Sequence, residues 1–384
     1  MNYRLRLPGP TAVPERVRQA ISAPMLNHRG PEFRAIFARA EELIKPLIGT
    51  SNPVLFFACS GTGVMEASLI NAVAPGERVL VCVNGQFGER FASIAKAIGA
   101  QVDILDVEWG RGIDPADIEQ RLKATGYRAV VLVHNESSTG IVADLAAIGA
   151  IVRQTDALLI VDSVSGLGGI EMRQDEWGID ILISASQKAL MNPPGVGLAS
   201  VSAKAQAIVN RDTAMPRFYW DFRKAIANVD RAETPFTPAM SLMAGLREAL
   251  EMIHEEGLAE VLARHRRLSQ ALRCGCNALG LRTFGECDAL SSTVVVLEVP
   301  EPLDGKQIVK AMYERRRTVI AGSRNKLSGR VIRIGTMGSL AEGDVLTDLL
   351  HLEDTLSHLG WPMRSGAGVA AASERLGERL PDAG

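Results

Sequence analysis

From residue 54 onward, short apolar runs alternate with longer amphipathic stretches. The runs fall at 54–59, 78–83, 102–107, 129–134, 157–161, 181–185 and 196–201 and are rich in Val, Ile and Leu. Apolar residues at successive positions, rather than at every second one, suit strands buried on both faces. Helix-like stretches separate the runs, extending from Gly61 to about 73, then over 87–98, 115–124 and 145–154. Asp114 before Pro115 reads as an N-cap ahead of a first-turn proline. Strands and helices alternating in this way predict βαβ units and a mainly parallel, seven-stranded α/β sheet.

The texture then changes. Helices are expected over 238–256, 258–279, 305–316 and 344–359, with strands at 293–299 and 331–334, which describes a smaller α+β unit. The expected division is an N-terminal segment (1–20), a large domain (21–255), a small C-terminal domain (256–362) and a flexible, small-residue-rich tail (363–384). No internal repeat is visible. With 42 basic and 44 acidic residues among 384, the net charge is −2, so no whole-protein field points to nucleic acid or anionic lipid. No apolar run reaches the roughly 18 residues of a membrane span. The first residues lack a signal-peptide core, so the expected compartment is the cytoplasm. Cys59, Cys82, Cys274, Cys276 and Cys287 form no CxxC pair and stand beside no histidine cluster; they read as reduced thiols, with no metal expected.

Chemistry collects at the ends of the apolar runs. Lys188 closes Ser184-Ala185-Ser186-Gln187-Lys188; burial there would disfavour its ammonium and free an amine for a Schiff base, although a lysine snorkelling at a strand end reads the same way. Asp162 closes Leu158-Leu159-Ile160-Val161-Asp162, where it would hold a pyridinium nitrogen or simply cap the next turn. Ser60-Gly61-Thr62-Gly63 joins a strand to a helix and suits either a phosphate or a plain capped connection. Phe87, in Asn84-Gly85-Gln86-Phe87-Gly88, offers a stacking ring or a core side chain. His134-Asn135-Glu136-Ser137-Ser138-Thr139-Gly140 is a polar cluster at another strand end. Arg333, inside the apolar run Val331-Ile332-Arg333-Ile334, needs an anionic partner, either a structural carboxylate or a ligand. The dinucleotide fingerprint GxGxxG is missing from the first strand–helix turn.

Taken in order, from Leu-Pro-Gly-Pro-Thr through Glu-Ser-Ser-Thr-Gly and Val-Asp-Ser-Val to Arg-Ile-Gly-Thr-Met-Gly, the chain resembles the class V aminotransferases. The resemblance spans about residues 5–360 and lies nearest the serine–pyruvate and alanine–glyoxylate group of pyridoxal-phosphate fold type I. It implies pyridoxal 5'-phosphate held as a Schiff base on Lys188, which also moves the substrate proton. It implies Asp162 at the pyridine nitrogen, Val164 on one ring face and Phe87 on the other. Ser60, Gly61, Thr62 and Gln187 would hold the phosphate, and Ser137 would face the phenolic oxygen and the substrate. Arg333 would clamp the substrate carboxylate, with Gly9 passing close to it. The family's homodimers complete the phosphate site from the neighbouring subunit, which makes Thr234 the cross-subunit candidate; Arg231 stands where several relatives have a tyrosine. The expected reaction is ping-pong transfer from alanine, serine or aspartate to glyoxylate or pyruvate, with Arg29 or Arg231 as candidate cations for an acidic donor. The alternatives are a cysteine-desulfurase-like lyase, disfavoured by Gln187 where those enzymes have histidine, and a non-catalytic binding protein that kept the fold.

Overall fold

Each apolar run becomes a strand: β1 (Val54–Cys59), β2 (Arg78–Val83), β3 (Gln101–Asp106), β4 (Ala129–Val133), β5 (Leu158–Asp162), β6 (Ile181–Ala185) and β7 (Gly195–Val201). In the computed structural model, which describes residues 3–285 and 289–378, they form one sheet in the order β1-β7-β6-β5-β4-β2-β3. Only β7 is reversed, pairing antiparallel with β6 and β1. The runs are continuously apolar because both faces are covered. Leu80, Leu132, Leu159 and Leu182 point into one layer with helices α1 (Pro31–Ile48) and α6 (Met240–Glu256). Val79, Val81, Val131, Ile160 and Ile183 point into the other with α2 (Gly61–Ala72) and α3 (Gln86–Ala97). Helices α4 (Pro115–Ala124) and α5 (Leu145–Val152) complete the alternation; Asp114 caps α4 by accepting from the Ala116 amide at 2.9 Å.

A second core forms where α7 (Leu258–Ala278), α8 (Gly305–Arg316) and α9 (Glu342–His358) pack on a three-stranded antiparallel sheet. Its strands are β8 (Val294–Glu298), β9 (Ala321–Gly322) and β10 (Val331–Gly335), with β10 central. The N-terminal segment is tied to this unit. Arg4–Leu5 pairs with Thr318–Val319, and the buried Arg6 binds Asp348 at 2.7 Å and Asp344 at 2.6 Å. The Gly335 amide donates to the Arg6 carbonyl, so the following residues are aimed at the large sheet.

One expectation fails. The stretch read as a loose tail contains helix α10 (Ala367–Gly377), docked on the small core with Ala372 fully buried. Its small residues are the reason: a Cβ on Gly275 of α7 would stand 2.8 Å from the Gly368 carbonyl. The buried Glu353 carboxylate accepts from the Gly366, Gly368 and Val369 amides and fixes the helix start. Cys59, Cys82, Cys274 and Cys276 are free thiols, and Cys287 lies outside the described residues. Among the described residues no helix is long and apolar enough to cross a membrane.

Candidate active site

The carboxyl ends of β1, β2, β4, β5 and β6 share one edge of the sheet, where open α/β sheets bind ligands. Lys188 follows β6 by three residues and is buried, with Nζ donating to the Pro8 carbonyl. Burial and the nearby Arg333 cation push its amine down from 10.5 to about 8, against the pull of Asp162. Asp162 ends β5, also buried. Loss of water raises its carboxyl to about 7, although Oδ1 accepts the Val164 amide at 2.7 Å and Lys188 favours the charge. Asp162 and Lys188 form no ion pair with each other.

Val164 lies against the first turn of α2, where a Cβ on Gly61 would stand 3.1 Å from its methyl. Ser60 is the N-cap of α2 yet makes no side-chain cap bond, and its neighbour Thr62 is exposed at the same edge. Gln187 carries a buried Oε1 with no partner. Phe87 stands in the first turn of α3, its amide held at 2.9 Å by the wholly buried Glu136 carboxylate. Glu136 also accepts from the Gly88 amide and from the Ser138 amide and hydroxyl. Burial raises its proton affinity, and these four donors oppose the rise.

Arg333 reaches this edge from β10. Its Nε donates to the Gly322 carbonyl at 2.9 Å and its Nη1 to the Ser137 carbonyl at 3.0 Å. No carboxylate stands within ion-pair distance of it among the described residues, although the buried Glu136 carboxylate nearby favours its charge. A guanidinium carries five N–H donors, and two are used.

The family model for class V aminotransferases matches residues 9–330. The chain belongs to that family. Enzymes of this family and fold type use pyridoxal phosphate. A soluble hydrogenase small subunit from Synechococcus is 39% identical over 377 residues, with 97% of this aminotransferase and 98% of that protein covered. A serine–glyoxylate aminotransferase from Hyphomicrobium methylovorum is 37% identical over 378 residues, covering 96% and 93%. The crystal structure of a ureidoglycine–glyoxylate aminotransferase from Bacillus subtilis superposes with a TM-score of 0.93 at 31% identity, covering 98% and 99%.

The site residues of this aminotransferase suit the cofactor. An uncapped helix start, the Ser60 and Thr62 hydroxyls and the unpartnered Gln187 amide would take the phosphate, a half-turn of that amide presenting its NH2. Asp162 would take the ring nitrogen, and Lys188 the aldehyde carbon. Gly9 is required by space: φ is +95°, and a Cβ would lie 2.6 Å from Lys188 Nζ. Gly9→Ala is therefore expected to displace the lysine and lower kcat about 100-fold. Single-turnover transamination would check this, and wild-type kinetics would show that the loop yields without cost.

Two candidate residues sit otherwise than expected. Arg29 is not a free cation. Its Nη1 binds Glu233 at 2.7 Å and the Thr234 carbonyl at 2.8 Å, and Arg34 shares the same carboxylate. It braces the 233–235 turn because Glu233 sits there to neutralise it. Arg231 is likewise engaged, binding the Asn228 side chain at 2.6 Å on the surface. Thr234 is buried; its hydroxyl donates to the Phe236 carbonyl at 2.6 Å and its carbonyl accepts from Arg29. Sequence reasoning missed the work of Glu136 and of Arg90, whose Nη1 donates to Thr62. A charge at the end of a buried strand and a cation three residues past Phe87 on one helix were the available signals.

Proposed function

We propose that this aminotransferase moves the amino group of a small amino acid, alanine, serine or aspartate, to glyoxylate or pyruvate in two half-reactions. The observation that carries the reading is Arg333, a half-buried cation with spare donors and no carboxylate partner, close enough to Lys188 to lower its proton affinity. Such a fork matches an α-carboxylate and sets the substrate beside the amine. Glyoxylate as acceptor is supported by the names of the Hyphomicrobium and Bacillus relatives.

When bound, pyridoxal phosphate supplies an electron sink for the pair left at Cα. Lys188 Nζ, neutral above about pH 8, would take the Cα proton and deliver it to the carbon that carried the aldehyde within the same half-reaction, and the second half-reaction would run that transfer in reverse. Asp162 would hold the ring nitrogen's proton by its charge. Arg333, held by the Ser137 carbonyl, would orient the substrate, and Glu136 fixes the Phe87 backbone where its ring would face the cofactor. A homodimer, with Thr234 offered to the neighbouring subunit's phosphate, completes the reading.

The test is kcat/KM for alanine, serine and aspartate against glyoxylate, pyruvate and 2-oxoglutarate. At least one donor should run about 10-fold or more better with glyoxylate or pyruvate than with 2-oxoglutarate, a discrimination within reach of one pocket. A preference for 2-oxoglutarate, or no turnover with any pair, would overturn the assignment.

A further inference from the structure

One charged side chain at the site has no task so far. Arg90 lies on α3, three residues past Phe87, with its guanidinium carbon 4.9 Å from the centre of the Phe87 ring. Its Nη1 donates to Thr62 Oγ1 at 3.0 Å, joining the start of α3 to the start of α2. No carboxylate pairs with Arg90 among the described residues; the adjacent Glu89 approaches Lys326 Nζ at 3.9 Å instead.

A threonine hydroxyl has one hydrogen to give. With a guanidinium donating to its oxygen, Thr62 cannot spend that hydrogen on Arg90 and must direct it elsewhere. The Thr62 amide lies in the first turn of α2, beyond the uncapped Ser60. Hydroxyl, amide and cation therefore meet where an anion would bind. Stacking on Phe87 leaves the planar guanidinium a narrow choice of positions.

We propose that Arg90 belongs to the phosphate end of the cofactor site, fixing the Thr62 hydroxyl as a donor to the phosphate and adding a permanent positive charge beside it. The assignment rests on the reading of the site as a pyridoxal-phosphate site. Its charge is also felt at Lys188 and Asp162, where it lowers both proton affinities, so it acts within the same field.

The experiment titrates cofactor-free protein with pyridoxal phosphate and, separately, with pyridoxal, following visible absorbance. Arg90→Gln should weaken pyridoxal phosphate about 10- to 100-fold, the range of a lost charge-assisted hydrogen bond. It should leave pyridoxal, which has no phosphate, within about 2-fold. Arg90→Lys should fall between, because it keeps the charge and loses the planar fork. In a Thr62→Val background, Arg90→Gln should cost less than in wild type, since part of its effect runs through the hydroxyl. Equal weakening of both ligands would overturn the assignment and leave Arg90 acting on the ring through Phe87. Unchanged pyridoxal phosphate affinity would overturn it as well. If Arg90→Gln fails to fold, the ratio of the two affinities in Arg90→Lys decides, and a wild-type ratio there overturns the assignment. A wild type that binds neither ligand overturns the functional reading itself, an outcome distinct from a wild type that binds while the variant ratio stands unchanged.

Discussion

Replacing Lys188 with alanine is expected to lower transamination by about 10,000-fold or more and to abolish the visible band that pyridoxal phosphate gives with the wild type. A positioned general acid–base contributes up to about that factor, and in the proposed reading one amine would serve both cofactor attachment and proton transfer. The same change should not destabilise the cofactor-free protein at neutral pH. Lys188 titrates near 8 in the fold against 10.5 when unburied, so the folded state binds its proton less tightly. The cost of burying it is therefore fully present below about pH 8 and disappears as pH rises through 10.5. Lys188→Ala removes that cost, so its melting temperature should match or exceed wild type at pH 7, with the difference closing only above about pH 11. Rapid-quench half-reactions together with thermal melts check both parts. Residual activity above about 1% of wild type would mean that another group carries the proton.

The sheet was legible because burial on both faces leaves a run with no polar alternation, and the sequence shows such runs directly. Lys188, Asp162 and Arg333 were legible for a related reason: an ionisable residue at the end of, or inside, an apolar strand demands an explanation. Glu136 and Arg90 were not, because their importance lies in partners far along the chain. Glu136 matters through the amides of Phe87 and Gly88, 49 and 48 residues away, and Arg90 through Thr62, 28 residues away. The segment 367–377 misled for the opposite reason. Gly and Ala are the residues of loose tails and also of closely packed helices, and only the matching Gly275 on α7 separates the two. Arg29 looked like a free cation because its neutralising partner, Glu233, lies 204 residues on.

Replacing Asp162 with asparagine should move activity and stability in opposite directions. The carboxyl is buried, and its proton affinity in the fold, near 7, exceeds the ordinary 3.8. A raised carboxylate value means that the folded state favours the protonated form. The stability this lends is complete below about pH 4 and lost as pH rises through 7, where an unpaired buried charge remains. Asparagine keeps the shape and carries no charge. Above pH 7 the cofactor-free variant should gain on the order of 2–4 kcal/mol, roughly a 3–5 °C rise in melting temperature for a chain of this length. Near pH 4 the gain should vanish. In the proposed reading a protonated pyridine nitrogen would compensate the buried charge, and asparagine would not hold that proton. Transamination should therefore fall about 1,000-fold, the scale of removing one preorganised electrostatic partner. Melting curves at pH 4 and 8 with single-turnover rates test the pair. A variant less stable than wild type at pH 8 would show that Asp162 is structural, whereas a variant with wild-type turnover would place the ring nitrogen elsewhere.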